Sequence, residues 1–177
     1  MTVLDEIEAA IPALRRYARA LLRDRERADD LVQDCLERAI ANRHAWRGDG
    51  PVQAWLFRIL INRHRDLQRR TPASGHLVAV EDLAKEPSYA ATQEQHLALR
   101  EVQSAIARLP MEQREALLMV ALEGKSFEQA ASILEIPKGT LMSRLARGRA
   151  TLRALTGRNT GPQNPNAVSL PQKSVKL

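Results

Sequence analysis

Apolar residues recur at three- and four-residue spacing along most of the chain, the period of helices that bury one face. From Val3 to Leu22, Ile7, Ile11, Leu14, Ala18 and Leu21 share a side, while Arg15, Arg16, Arg19 and Arg23 lie mostly off it as a solvated basic edge. A second helix opens at Asp24 and turns Leu31, Cys35, Leu36, Ala39 and Ile40 inward. Gly48, Asp49, Gly50 and Pro51 interrupt the pattern, as such a cluster must. A third helix then runs to Arg70 and buries Trp55, Leu56, Ile59, Leu60 and Leu67. Over residues 71–93 no period survives and two prolines appear, which marks a linker. As a flexible coil it averages about 26 Å end to end and extends to roughly 75 Å, against ~34 Å for a turn of DNA. Helicity resumes near Glu94, with Leu97, Leu99, Val102 and Ile106 repeating through Arg108.

The stretch Leu109–Leu155 has the densest local signals. Pro110 suits a first helical turn, where its missing N–H has no intrahelical partner anyway. Leu117, Leu118, Ala121 and Leu122 form the apolar side, and Gly124 supplies a left-handed stop. Ser126 and Gln129 fit a capping box. Ala130 and Ala131 are small enough for another helix to cross closely, Glu135 and Ile136 make the turn, and Pro137 begins the last helix. On that helix Leu141, Leu145, Gly148, Leu152 and Leu155 form an inward stripe, with Lys138, Thr140, Ser143, Arg144 and Arg147 mainly opposite. The last two helices predict a helix-turn-helix. The whole pattern predicts an all-α fold: small helical domains over 1–70 and 94–156, the linker 71–93 between them, and a disordered tail over 157–177 rich in Pro, Asn, Gly and Lys.

Charge changes the picture more than composition does. The chain carries a net +6 over its 177 residues, which favours a polyanionic partner. Between Pro137 and Arg158 stand six basic residues and no acidic one. Gly139 and Thr140 permit close backbone approach and a phosphate contact at the helix N-terminus, while Arg144 and Arg147 reach base edges or phosphates. On the third helix, Asn62, Arg65, Asp66 and Arg69 make a second polar, net-basic side, and Trp46 before it either caps the core or stacks on an exposed base. Asp24 to Glu37 runs the other way, with six acids against two arginines. Asp30, Gln33, Asp34 and Glu37 share a helical side. That side is either a surface of local ion pairs or a docking face for a basic protein, since acids turned toward DNA repel it.

No carboxylate pair, nucleophile–base set or phosphate loop stands out, so catalysis is the weakest reading, and no cofactor is called for. The single cysteine, Cys35, and scattered histidines make no zinc-ligand spacing. Cys35 itself lies in an apolar-rich run and reads as a buried, inert thiol. No apolar run approaches the ~20 residues of a membrane helix and the N-terminus has no signal-peptide pattern, so the expectation is a cytoplasmic protein without membrane insertion.

Three segments in series resemble the extracytoplasmic-function group of bacterial σ70-family sigma factors. ADDLVQDCLERA resembles the acidic polymerase-docking motif of their σ2 domain, PVQAWLFRILINRHRD the promoter-binding helix after it, and LPMEQREALLMVALEGKSFEQAASILEIPKGTLMSRLARGRATL the whole σ4 domain. The likeness covers roughly Leu4 to Leu155. It implies that Asp29, Asp30, Leu31, Gln33 and Asp34 bind core RNA polymerase. It further implies that the loop at Trp46 with Asn62, Arg65 and Asp66 meets the melted minus-ten element of promoter DNA. Lys138, Gly139, Thr140, Ser143, Arg144 and Arg147 then meet the minus-thirty-five element. An anti-sigma factor is the implied regulatory partner. Met142 departs from the family's frequent basic residue, which removes one phosphate contact, and Cys35 replaces a commoner threonine. Nothing after Thr156 looks like the extra C-terminal domain of some members. Two rival readings are a simple helix-turn-helix repressor, which leaves the acidic helix without purpose, and a sigma-like decoy that binds an anti-sigma factor without promoter activity.

Overall fold

A computed structural model of the chain describes residues 2–46, 48, 50–70 and 93–157. Of the linker expected over 71–93 and the tail expected over 157–177, residues 71–92 and 158–177 lie outside the described residues, while Gln93 opens α4 and Gly157 follows α7. Among the described residues all regular structure is helical: α1 (Val3–Leu22), α2 (Arg25–Ala41), a short 3₁₀ turn (Arg43–Ala45), α3 (Val52–Arg70), α4 (Gln93–Ala107), α5 (Met111–Ala121), α6 (Phe127–Leu134) and α7 (Lys138–Thr156).

Local chemistry sets the boundaries. Thr2 and Asp5 cap α1 reciprocally, and the Asp24 side chain accepts from the Arg27 N–H at the start of α2. Ser126 and Gln129 form the expected capping box on α6. Each satisfies backbone donors that the first helical turn leaves unpaired. α5 and α7 instead start after Pro110 and Pro137, with no side-chain cap. Gly124 takes the left-handed conformation (φ 62°) after α5. At the helix-turn-helix corner the left-handed residue is Glu135 (φ 56°), and the Ile136 N–H closes the turn on the Ala131 carbonyl at 3.1 Å.

α1, α2 and α3 form a three-helix bundle around Leu14, Tyr17, Ala18, Leu31, Cys35, Leu56, Phe57 and Leu60, all buried. α4 to α7 form a second bundle around Ala116, Met119, Ala130, Leu134, Leu141 and Leu145. The two bundles pack into one continuous apolar cluster, with α5 against α1 and α6 against α3. At the seam the Tyr17 hydroxyl donates to the Glu115 carbonyl at 3.1 Å. Arg114 ties the C-terminal carbonyl of Leu21 (3.0 Å) to that of Leu109 (2.9 Å).

This packing corrects several burial expectations. On α3 the buried side is Val52, Leu56, Phe57, Leu60, Ile61 and His64, with Trp55 and Ile59 half-buried and Leu67 38% exposed. α3 is covered from two directions, so a single apolar stripe misplaces its register. Ile40 (45% exposed) and Leu122 (37%) also stand in solvent, as does Ala121. Periodicity marks a helix side but says nothing of how far a neighbour extends along it. Arg16 is exposed as the solvated basic edge requires, and it also grips Glu123 through Nε and Nη2, at 3.0 and 2.6 Å.

Cys35 is fully buried, its Sγ donating to the Leu56 carbonyl at 3.4 Å. Burial, with the Asp34 carboxylate nearby, pushes its thiol up to about 12. The thiolate is the reactive form, so iodoacetamide is expected to leave the native protein unmodified at mildly alkaline pH while alkylating the urea-unfolded chain fully. Mass spectrometry of paired samples checks this, and fast native labelling contradicts the packing around α2.

Candidate protein-docking and nucleic-acid interfaces

The acidic side of α2 divides into spent and available charge. Asp34 is half-buried and accepts from Arg38 Nε at 3.0 Å and from Arg63 of α3. Burial pushes its carboxyl up, but the two arginines outweigh that and hold it below the ordinary value. Asp29 lies 3.6 Å from Arg19 of α1. Asp30 is exposed and pairs with no cation among the described residues, and Gln33 and Glu37 beside it bond only to each other, at 3.1 Å. Local ion pairing therefore describes Asp29 and Asp34, while Asp30, Gln33 and Glu37 are free for an outside partner. Leu31 is a correction: at 2% exposure it is held in the bundle core, because the apolar stripe of α2 takes precedence over its place in the acidic motif. It can fix the helix but not touch a partner.

On α3 the outward polar residues are mostly engaged: Asn62 is exposed but bonded, and Arg65 is half-buried. Asn62 Nδ2 donates to Glu135 at 3.2 Å, and Arg65 reaches Glu115 at 2.7 and 3.2 Å and the Leu134 carbonyl at 3.4 Å. Asp66 is half-buried, 3.7 Å from Arg69. Trp46 is half-buried and lines, with Pro51, Trp55, Arg58, Lys125 and Gln129, a cleft of about 480 Å³ between the α3 N-terminus and α6. The structure thus brings Asn62 and Arg65 against the second bundle, and Trp46 beside the same seam.

On α7 the basic side is largely presented outward. Lys138 pairs with Glu128 of α6 at the surface, Gly139 is exposed and Thr140 half-buried. Pro137 leaves the first turn without a side-chain cap, so its backbone donors and positive dipole end suit a phosphate. Arg147 donates to the Ser143 hydroxyl at 3.0 Å and both are exposed. Arg144 is more enclosed, with its side chain 15% exposed and 3.3 Å from Glu112 of α5. Leu141, Leu145 and Gly148 turn inward as the pattern requires.

Glu115 is the functional candidate that sequence reasoning passed over. It is 0% exposed, with Arg65 at 2.7 Å and His64 Nδ1 at 3.5 Å. Burial pushes its carboxyl up, but hydrogen bonds from His64 and Arg65 more than offset this, leaving it below the ordinary glutamate value. Its folded-state value is thus depressed, so the contribution is fully present above the ordinary range and fades as pH falls through the lowered value. A signal did exist: Glu115, Leu118 and Met119 follow helical spacing, which sets a carboxylate on an apolar side. Glu123, Glu135, Lys125 and Arg114 had no such marker.

Among the described residues no group of three or more His, Cys, Asp or Glu could hold a metal ion. No helix there is long and apolar enough to cross a membrane.

Comparison with known proteins adds an independent view. Residues 7–61 match the family described as the Sigma2 domain of PhyR, and residues 99–152 match Sigma-70, region 4. The chain is similar to the ECF RNA polymerase sigma factor EcfG of Rhodopseudomonas palustris (strain TIE-1), 41% identical over 157 residues, 85% of this chain and 83% of that one. It is also similar to SigM of Mycobacterium tuberculosis (strain ATCC 25618 / H37Rv), another ECF RNA polymerase sigma factor, with 40% identity over 150 residues covering 84% and 74%. Among solved structures it resembles the sigma factor RpoE in complex with the anti-sigma factor NepR from Bartonella quintana. That likeness has a TM-score of 0.70 and 32% identity, and covers 88% of this chain and 96% of that one.

Proposed function

Because the chain belongs to the ECF sigma factors of RNA polymerase, we propose that it docks on core polymerase through α2 and brings promoter specificity on α3 and α7. The observation that carries this reading is the separation of charge by surface. Asp30 and Glu37 have no cationic partner among the described residues and stand on one helix of the first bundle, while Lys138, Ser143 and Arg147 stand outward on the last helix of the second. The first surface suits a basic protein and the second a polyanion. Neither nucleic-acid face is large, so each binds weakly alone. Tethering both to one polymerase raises effective concentration without new contacts. The protein then acts as a detachable specificity subunit in the cytoplasm, not as a catalyst. An anti-sigma factor restrains it, by analogy with the RpoE relative solved with NepR.

The test is transcription in vitro by core polymerase on a promoter library. Promoter-specific initiation dependent on this chain supports the reading. Arg144→Ala is expected to lower initiation about 5- to 150-fold, the loss of a ~1–3 kcal/mol base or phosphate contact, with affinity for core polymerase unchanged. If Arg144→Ala weakened only polymerase binding, α7 would be the wrong assignment.

A second reading is favoured by one observation, the match of residues 7–61 to the Sigma2 domain of PhyR. On it the chain is a sigma-like decoy that sequesters an anti-sigma factor. Binding to polymerase without any initiation would select that reading instead.

A further inference from the structure

Of the large apolar side chains left exposed among the described residues, Met142 (44%) is the one that stands on the basic helix. It is the fifth residue of α7, in the part of a recognition helix that meets base edges in a major groove. Leu141 before it and Leu145 beyond it are buried, so α7 packs without its help. Gly139 and Ala146, its neighbours three and four positions away, are exposed as well, and a Cβ added at Gly139 meets nothing within 4 Å. The described residues thus leave this side of the helix open. Lys138, one turn earlier, pairs with Glu128, and Arg147 bonds to Ser143 at 3.0 Å.

Exposed apolar residues are ordinary on a protein surface; what singles out Met142 is its position. From Pro137 to Arg158 six basic residues and no acidic one surround it, so the surface it shares suits a polyanion. A thioether can donate no hydrogen bond and accepts only weakly, which makes methionine a poor partner for a phosphate or a guanine edge. The apolar group that base edges present in the major groove is the thymine C5-methyl. We infer that Met142 is a specificity residue of α7 that packs on a thymine methyl in the minus-thirty-five element, beside the polar contacts of Ser143, Arg144 and Arg147. The inference rests on the reading of α7 as the minus-thirty-five helix. Cations on phosphates fix the position of the helix but carry no sequence information. An unbranched, polarisable side chain can settle on a methyl group of irregular setting, and at cytosine it finds no such partner.

The test uses polymerase carrying the full chain, with the promoter most used in the library transcription. Each thymine of its minus-thirty-five element, on either strand, is replaced in turn by uracil, which removes the C5-methyl and keeps the base pair. Competition between duplexes reads relative affinity. The unsubstituted chain is expected to lose about fourfold at one or two thymines, the worth of one buried CH₂-sized group. Met142→Ala is expected to lose the same fourfold on the thymine promoter and to bind thymine and uracil forms equally. Met142→Leu should keep the preference, whereas Met142→Gln, of similar length but polar, should not. Met142→Lys should erase it and steepen the salt dependence by about one phosphate contact. Met142 is exposed, so the unfolding midpoint should stay in place throughout. A uracil penalty of the same size in the unsubstituted chain and in Met142→Ala assigns the methyl to another side chain and overturns the inference. So does the absence of any penalty while Arg144→Ala still lowers promoter use. If neither uracil nor Arg144→Ala had an effect, the assignment of α7 to the minus-thirty-five element would fail first, and the role of Met142 with it.

Discussion

Asp30→Lys is expected to weaken binding to core RNA polymerase by about a hundredfold, since setting like charges together at a docked interface costs several kcal/mol. The site is suited to a clean result. Asp30 is exposed in mid-α2 and has no ion pair among the described residues to lose. Lysine has at least the helix propensity of aspartate, so the unfolding midpoint should stay within the small range of ordinary surface changes. Asp34→Lys is a poorer probe. It would break the contacts with Arg38 and Arg63 and set a third cation between them, so lost binding and lost packing could not be separated. Anisotropy titration of labelled protein with core polymerase checks the prediction, at several salt concentrations because exposed charge attraction is screened. Unchanged affinity for polymerase would remove α2 as the docking helix. Lost affinity together with a lowered midpoint would mean that Asp30 serves the bundle.

Much of the fold was legible because local signals agreed with the global arrangement. The Ser126–Gln129 capping box, Gly124 and the Glu135–Ile136 corner lie where the sequence puts them, and Pro110 and Pro137 stand one residue before the helices they were expected to open. These depend on nearest neighbours along the chain, which a sequence displays directly. The register of α3 was not legible. Of the expected side, Leu56 and Leu60 are buried and Trp55 and Ile59 half-buried, but Leu67 is exposed and Phe57 and Ile61 are fully buried as well, because α3 meets its own bundle and also α6. The docking helix was half legible: its acids were found, but which of them Arg19, Arg38 and Arg63 neutralise depends on contacts with α1 and α3. The seam was the least visible. Glu115 and Tyr17 are 98 positions apart in sequence, and Arg16 and Glu123 are 107. A helix facing solvent and one facing a second bundle can carry the same polar residues, so Asn62 and Arg65 read as a free DNA surface when they are already bonded.

Phe57 gives the largest stability effect, and for the same reason that it was missed. Its ring is fully buried and meets Tyr17 edge-on, with centroids 5.3 Å apart and planes at 74°. Lys125 Nζ of the second bundle lies 5.8 Å over its face. Phe57→Ala removes the ring, leaves a cavity beside Tyr17, and strips Lys125 of its aromatic platform. The expected cost is about 3–5 kcal/mol, which lowers the midpoint by roughly 8–16 °C for a chain of this size. Phe57→Leu should cost less than half as much, because it keeps most of the buried volume. The difference between the two isolates the cavity and the aromatic contacts from simple hydrophobicity. Substituting a residue that lines only the cleft, as in Gln129→Ala on the exposed side of α6, should by contrast stay near zero in the body of the fold and cost only its part in the α6 cap. Urea unfolding followed by far-ultraviolet circular dichroism checks the series. A Phe57→Ala loss no larger than that of Gln129→Ala would show that α3 does not present this side to the core, and the interdomain seam built around it would fall with it.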